Sequence, residues 1–446
     1  MFLVALSVLP WLVFLFYRYP LLLLCLFPVI SVFDVFFPFF PFVVSGYWLL
    51  PMDFVYFFMA MHLGICLLRQ PSKVIGALTD NIFLTIFLAL VAVYVVIYTP
   101  TNGQSAVGEA RKYYGMFLFP LFALVSLKRP EDLRRFMQVV ILSATAIVIV
   151  ALGMAAQEGT IARIISSDGA LFITFAALAM AVYRIRDVAV ISRKLDRVLL
   201  AVFAVLAVGL AHRTVWLTAG YGSLLLIWLY NGRPRLMLKL TVVALVLVAA
   251  CGAGLIYFPE AGSQLAVRFK GIIDPYSDST ASWRIEGWQF QLDELQKSGQ
   301  LLFGDGLGGY YSWKSTTGGE VTVSPHNAYV QTVLKFGLFG LAIYGLLALK
   351  FFRTTSVFRK QLSPGPLRAN VEIGIVNFGA AHAYMLGYGI VPIIFAFFAA
   401  AVCAIKLSKE FPKVTTQFPA RAGILKRNRR VASMPLRRAP ATRYAR

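Results

Sequence analysis

The sequence predicts an all-α polytopic membrane protein with about twelve transmembrane helices and one large outward loop, and three observations support this fold class. Hydrophobic residues make up 59% of the 446 positions and charged residues only 14%, with a mean hydropathy of +0.74, which is too apolar for a soluble domain of this size. Apolar runs of membrane-spanning length, roughly 17–25 residues each, recur almost end to end. Basic segments alternate with non-basic segments at successive ends of these runs.

The apolar runs give the predicted spans in chain order. They lie at 1–17, 21–44, 47–68, 80–98, 113–127, 135–155, 167–183, 198–212, 214–230, 236–257, 326–352, 371–387 and 388–407. Several boundaries are soft, and boundaries predicted from sequence err by a few residues, so we expect about twelve helices and allow eleven to thirteen. The first run has no Ala-x-Ala-like cleavage site before a soluble domain, so we interpret it as a membrane anchor.

The distribution of basic residues along the chain predicts its orientation in the membrane. The basic segments are 128–135, 184–197, 231–239 and 350–368, whereas the connections 99–112, 156–168 and 258–325 are not basic. The last connection carries eight acidic and five basic residues. Under the positive-inside rule the basic segments face the cytoplasm and 258–325 faces outward. The side of the N-terminus stays open.

The C-terminal segment 409–446 carries eleven Lys or Arg residues and one acid, out of a net charge of +22 for the chain. It lacks the ordered basic face with stacking aromatics that nucleic-acid binding requires, so we expect no nucleic-acid partner. We predict a disordered cytoplasmic tail near anionic lipid headgroups. The predicted domains are therefore 1–257 (transmembrane helices), 258–325 (outward loop), 326–408 (transmembrane helices) and 409–446 (tail).

The outward loop is too long for a simple connector, and its aromatic residues predict an ordered, mainly helical structure. In ASWRIEGWQFQLDELQ, the spacing puts Trp283, Gly287 and Phe290 on one helical face, and Arg284 and Trp288 on an adjoining face. The following LLFGDGLGGY is only superficially similar to a dinucleotide fingerprint, because no strand–helix context surrounds it. It predicts a tight glycine turn whose backbone lies close to the membrane surface.

Charged residues also occur at membrane level. In GLAHRTVWL, His212 and Arg213 separate two apolar runs at an outward turn. An arginine there is either a functional residue or an interfacial residue that snorkels to lipid phosphate, and the sequence leaves both interpretations open. Arg111 and Lys112 begin another outward helix, where an interfacial anchor paired with Glu109 is the favoured interpretation.

The segment HNAYVQTVLKFGLFG follows the loop, and it resembles the His-Asn, nine residues, Gly-x-x-Gly pattern of the O-antigen ligase and polymerase superfamily. SWRIEGWQ and LLFGDGLGGY resemble the Arg-x-x-x-Trp and Gly-x-Gly-x-Gly elements of that family's periplasmic loop. HRTVWL resembles its arginine at the outer end of a mid-chain helix. The order of these elements and the hydropathy profile extend the resemblance over most of the chain.

The resemblance implies a membrane-embedded glycosyltransferase of GT-C-like architecture in the bacterial inner membrane, multi-pass, with a periplasmic active site and a cytoplasmic C-terminus. Such enzymes move a glycan from an undecaprenyl-pyrophosphate carrier to an acceptor hydroxyl. We favour an O-antigen ligase acting on lipid A-core. A polymerase that extends a growing glycan and a protein O-glycosylation ligase remain alternatives within the superfamily. A transporter of lipid-linked sugars and a non-catalytic scaffold are further alternatives.

The resemblance also implies roles for particular residues, and their chemistry suits those roles. Arg213 and Arg284 would bind the departing pyrophosphate through planar, permanently charged guanidinium groups. His326 has a suitable ordinary pKa for a general base. Asn327 would orient substrate or imidazole, or cap the next helix.

We assign to substrate binding Asn327, Arg111, Lys112, Trp288, Gly306 and Gly308. Gly337 and Gly340 would let a neighbouring helix pack closely. We expect no cofactor and no metal. The expected partners are the lipid-linked donor, the glycan or lipid A-core acceptor and membrane lipid.

Overall fold

Helices account for nearly all the regular structure of the computed structural model, which describes residues 2–36, 42–44, 47–158, 164–210, 212–231, 274, 279–309, 311–314, 320–322 and 325–412. The helices are α1 (Phe2–Arg18), α2 (Pro20–Phe36), α3 (Pro51–Arg69), α4 (Pro71–Asp80), α5 (Ile82–Ser126), α6 (Pro130–Glu158), α7 (Ser167–Ile185), α8 (Arg193–Gly209), α9 (Arg213–Tyr230), α10 (Ser279–Lys297), α11 (Ala328–Gln361), α12 (Pro366–Met385) and α13 (Ile393–Glu410).

Two short antiparallel hairpins accompany the helices. Strand β1 (Phe42–Val44) pairs with β2 (Tyr47–Leu49), and β3 (Ser312–Lys314) pairs with β4 (Glu320–Thr322). The end of the predicted span 21–44 is therefore a strand rather than helix. The predicted span 236–257 and most of the predicted tail lie outside the described residues.

The fold is that of an all-α membrane protein. Five helices of the described part are long and apolar enough to cross a membrane, namely α3, α5, α6, α7 and α11. A sixth candidate is formed if Leu9–Arg18 and Pro20–Phe33, which meet at 105°, count as one span. The remaining predicted spans stay predictions.

Two long helices each contain a break. Helix α5 unites the predicted spans 80–98 and 113–127, and its backbone leaves helical geometry at Gly103 (φ 53°, ψ −130°). The connection 99–112 is thus helical on both sides of a kink rather than a loop. Helix α11 breaks in the same way at Gly337 (φ 68°, ψ −173°).

Helix α12 lies at the centre of the bundle, where it packs against α13, α9, α7 and α11. Small residues allow this close packing, since a Cβ added at Gly374 would lie only 2.3 Å from the Cβ of Ala401 on α13. Membrane helices use such small residues because lipid supplies little hydrophobic drive for helix association.

Helix α10 is the described helical part of the predicted loop, and it packs on α11 and on β3. Gly287 faces the indole of Trp313, and Gln291 and Leu295 continue the buried face. Trp283, Gly287 and Phe290 lie on one face of this helix, as their spacing predicts, but Phe290 is 44% exposed. The buried face is rotated towards Gln291, which follows Gly287 by four residues.

Candidate functional site

His326 precedes the first turn of α11, and the local sequence fixes its position. Asn327 is the N-cap of the helix, and its Oδ1 accepts hydrogen bonds from the backbone N–H groups of Tyr329 (2.9 Å) and Val330 (3.1 Å). These bonds satisfy donors that every helix start leaves unpaired. The cap places the half-buried His326 just outside the helix.

Two aromatic rings flank the imidazole of His326. The ring centroid of Trp283 lies 6.1 Å away and that of Tyr388 lies 6.2 Å away, both at edge-on angles. Burial lowers the pKa of His326, and the positive charges of Arg284 and Lys112 lower it further. The imidazole is therefore held in its neutral form, which is the form that can accept a proton.

Arg284 on α10 contacts the same two rings. Its Cζ lies 5.5 Å from the ring centroid of Trp283 and 5.6 Å from that of Tyr388. Its Nη1 also donates to the carbonyl oxygen of Gly387 at 3.4 Å. Residues far apart in sequence are thus brought together, with the guanidinium and the imidazole sharing Trp283 and Tyr388.

Arg213 is the first residue of α9 and is half-buried at the same end of the bundle. The preceding His212 is fixed through a hydrogen bond between its Nε2 and the carbonyl of Ile165 at 3.0 Å. Thr214 packs against Gly387, since a Cβ added at that glycine would lie 3.0 Å from Thr214 Cγ2. The start of α9 and Arg284 therefore meet the same turn between α12 and α13.

That turn is a part of the site that sequence reasoning missed. Tyr388 sits between Gly387 and Gly389, where the sequence showed only an uncertain helix boundary. An aromatic residue between two glycines at the outward end of two apolar runs was the available signal. Its ring also stacks on Tyr384 at 5.0 Å.

A buried ion pair lies beside this region and was also missed. Lys335 on α11 is fully buried, and its Nζ lies 2.7 Å from Glu109 Oε2 on α5. The same Nζ donates to the carbonyl of Gly309 at 3.1 Å and lies 4.4 Å from the ring centroid of Tyr311. A lysine within an apolar run is costly unless paired, which was the signal for it.

The glycine-rich segment joins this ion pair. Gly308 (φ 85°) donates its N–H to Glu109 Oε2 at 2.6 Å, and a Cβ on it would lie 2.6 Å from the backbone nitrogen of Ala106. Gly306 faces the ring of Tyr98 in the same close manner. The predicted tight turn is present, and it brings the backbone against α5 and α11.

The break at Gly337 explains how the loop is attached to α11. The N–H groups of Leu338 and Phe339 donate to the carbonyls of Leu301 (3.0 Å) and Leu302 (3.1 Å). In return, the carbonyls of Leu334 and Lys335 accept from Asp305 (2.7 Å) and Gly306 (3.2 Å). The loop thus replaces the hydrogen bonds that the helix loses, which apolar surroundings require.

This arrangement corrects the expectation for Gly337. A loop, not a helix, approaches it, and an added Cβ would lie 2.0 Å from the carbonyl oxygen of Leu302. At Gly340 the neighbour is a helix, with Leu90 of α5 at 3.7 Å from an added Cβ.

The other predicted binding residues take different positions. Arg111 pairs with Asp53 on α3 through Nε and Oδ1 at 2.7 Å, and the expected pair with Glu109 is not formed. Residues two apart point to different sides of a helix, which is why Glu109 reaches Lys335 instead. Lys112 is exposed and acts on His326 through its charge. Trp288 is half-buried, and its Nε1 has no hydrogen-bond partner among the described residues.

Part of the chain matches a known protein family. Residues 198–345 match the family model described as O-antigen ligase. No curated protein matches the chain. The matched segment contains Arg213, Arg284 and His326, together with the break at Gly337.

Proposed function

We propose that the protein transfers a glycan from an undecaprenyl-pyrophosphate carrier to an acceptor hydroxyl. The match of residues 198–345 to the O-antigen ligase family supports membership of the O-antigen ligase and polymerase superfamily, from which the proposal proceeds. The observation that carries the proposal is the convergence of His326 and Arg284 on the rings of Trp283 and Tyr388. Within the superfamily we favour an O-antigen ligase acting on lipid A-core. A polymerase or a protein O-glycosylation ligase would use the same groups.

In this mechanism His326 removes the proton of the acceptor hydroxyl as its oxygen attacks the anomeric carbon. The bond between that carbon and the pyrophosphate oxygen breaks, and undecaprenyl pyrophosphate leaves with the bonding electrons. The neutral imidazole that burial and the neighbouring cations favour supports this role. Arg284 and Lys112, by lowering the pKa of His326, keep the base unprotonated before the acceptor arrives.

Arg284 and Arg213 stabilise the negative charge that develops on the departing pyrophosphate. Contact with two ring faces fixes the plane of the Arg284 guanidinium, whose donors lie along its edge. Donors preorganised in this way act most strongly where charge increases during the reaction. We propose that these arginines take the place of a divalent cation and that the enzyme is metal-independent.

The proposed setting is the bacterial inner membrane, with about twelve spans, the site facing the periplasm and the C-terminus in the cytoplasm. The alternation of basic and non-basic segments supports this orientation. Trp288 and Gln291 on α10 are candidates to contact the glycan. The indole Nε1 of Trp288 and the amide of Gln291 are buried and have no hydrogen-bond partners among the described residues.

The test is a reconstituted reaction in a strong chelator. Purified protein in liposomes receives a lipid-linked glycan together with either lipid A-core or a second lipid-linked glycan, and the extended product is identified. We expect extension of lipid A-core without added metal. Extension of the second lipid-linked glycan alone would make the protein a polymerase, and a requirement for magnesium or manganese would contradict the role of the arginines.

A further inference from the structure

A cavity of about 510 Å³ lies far from His326, among α4, the end of α5, and the C-terminal parts of α11 and α13. Lys350 on its wall follows the break at Gly337 by 13 positions along continuous helix, whereas His326 precedes that break. At 1.5 Å per residue Lys350 lies about 20 Å beyond the break, which is most of the hydrocarbon thickness of a bilayer. The cavity therefore belongs to the opposite leaflet and does not form part of the site already described.

The rim of the cavity carries more positive than negative charge. Its charged residues are Lys73, Lys350, Lys406, Lys409, Asp80 and Glu410. Lys350 donates to the backbone carbonyl of Asp80 at 2.7 Å, and Lys406 donates to that of Leu124 at 2.7 Å. Lys406 also pairs with Glu410 at 3.6 Å. Four lysines against two carboxylates still leave two positive charges in excess around the cavity.

Lys73 shows the effect of this crowding. It is half-buried, and no carboxylate of the described residues lies within ion-pair distance of it. Burial lowers the pKa of Lys73, and the charges of Lys406 and Lys128 lower it further. An anion bound here would relieve that repulsion.

The remainder of the wall is apolar. It is formed by Phe83, Leu124, Leu347, Phe351, Phe398 and Val402. A cationic rim above an apolar wall suits a ligand that has an anionic head and a hydrocarbon chain, whereas a free anion would use only the rim. The segment that follows Glu410 is itself basic, so its charge does not complement the cavity.

We propose that this cavity binds one anionic phospholipid from the leaflet opposite His326. The phosphate lies among Lys73, Lys350 and Lys406, and an acyl chain lies along the phenylalanine side chains. Lysine binds phosphate as a point charge, and basic pockets between membrane helices are a recurrent form of lipid recognition.

The first experiment measures lipid retention by the delipidated full-length protein. Native mass spectrometry and thermal unfolding are recorded with phosphatidylglycerol, with phosphatidylcholine and with inorganic phosphate. We expect phosphatidylglycerol alone to be retained and to raise the Tm. Equal retention of the two lipids, or equal protection by inorganic phosphate, would overturn the proposal in favour of unspecific lipid or a free anion.

Two sets of variants test separately the binding of the lipid's phosphate head group and of its acyl chain. Lys73→Gln with Lys350→Gln should weaken phosphatidylglycerol retention about twenty-five-fold, at roughly fivefold for each lysine. Lys360→Gln is the control, because Lys360 is exposed on α11 and lies outside the cavity, and its lipid retention should change little. Wild-type retention in the double variant would contradict the proposal.

Gly76→Leu fills the cavity without touching a lysine. Gly76 lines the cavity, and a Cβ added to it meets no atom within 4 Å. This variant should fold with an unchanged lipid-free Tm and should lose phosphatidylglycerol. Gly64→Leu, equally open but on α3 and away from the cavity, should retain the lipid. If Gly76→Leu retained phosphatidylglycerol, the acyl chain would not lie along the apolar wall of this cavity, and the proposal would be contradicted.

Discussion

The two ends of α11 are built differently, although one helix connects them. At its start the helix is capped, broken at Gly337 and joined to a loop by four exchanged hydrogen bonds. At its end it is continuous, and Arg359 meets the buried carboxylate of Glu372 together with Arg186 and Arg368. The irregular end carries the candidate chemistry, and the regular end is fixed by ion pairs.

The two ends also use arginine differently. Glu372 is fully buried and also accepts from the hydroxyl of Tyr230, so its three arginines surround one fixed carboxylate. The contacts of Arg284 include two aromatic faces and one backbone carbonyl. A guanidinium bound to a buried carboxylate holds helices together, whereas the ring contacts of Arg284 fix the plane of its guanidinium at the candidate site.

The largest expected effect is at the start of α11. His326→Ala should lower turnover by about 10²–10⁴, because it removes the general base. The measurement is steady-state glycan transfer in liposomes, with the Tm as a check on folding. Turnover within threefold of the wild type would leave His326 as a structural residue beside Trp283 and Tyr388.

Arg284→Lys and Arg213→Lys should each lower the rate by about 10²–10³, because lysine keeps the charge but loses the planar pair of donors. Arg193→Lys, in an exposed pair with Asp187, is the matched control and should be silent. Full activity in Arg213→Lys would identify that residue as an interfacial anchor.

At the C-terminal end of α11, a substitution should change the free energy of unfolding rather than the transfer rate. Glu372→Gln leaves three arginines without their carboxylate and should cost about 3–5 kcal/mol. Transfer activity per folded molecule should persist. Glu294→Gln, which breaks an exposed pair with Lys297, is the control and should cost less than about 1 kcal/mol. An unchanged Tm in Glu372→Gln would remove the contrast between the two ends.

The break itself can be tested with two glycines of α11. Gly337→Ala puts alanine at a positive φ and places its Cβ against the carbonyl oxygen of Leu302. It should therefore destabilise the protein by at least about 2 kcal/mol and displace the loop. Gly345→Ala meets nothing within 4 Å and should be neutral or stabilising by up to about 1 kcal/mol. Equal Tm values for the two variants would show that the loop does not depend on the break.

The smallest effect concerns pH. A base must be unprotonated, so activity should fall as pH decreases through the pKa of His326, which lies below the ordinary value of 6.5. Lys112→Gln removes one of the charges that lower this pKa, so the acidic limb of the pH–rate profile should move to higher pH. Lys297→Gln, exposed at the end of α10, should leave the limb in place. If Lys112→Gln left the acidic limb of the pH–rate profile unchanged, the charge of Lys112 would not act on the pKa of His326.

The sequence predicted the helical fold well because each apolar run carries its own signal in length and hydropathy. It also made His326, Arg284 and Arg213 candidates, since motif spacing and charge at membrane level are local features, and their roles stay predictions. It could not predict the turn at Tyr388 or the ion pair between Lys335 and Glu109, because both depend on which helices meet. The pairing of Arg111 with Asp53 was missed for the same reason.

The most direct test of the account measures donor binding and turnover side by side in His326→Ala and Arg284→Lys. Affinity for the undecaprenyl-pyrophosphate glycan is determined in liposomes, and transfer to the acceptor is followed in the same preparations. We predict that His326→Ala binds the donor nearly as well as the wild type and fails in transfer, whereas Arg284→Lys loses transfer together with donor affinity. Loss of donor binding in His326→Ala, with wild-type binding in Arg284→Lys, would contradict the division of roles.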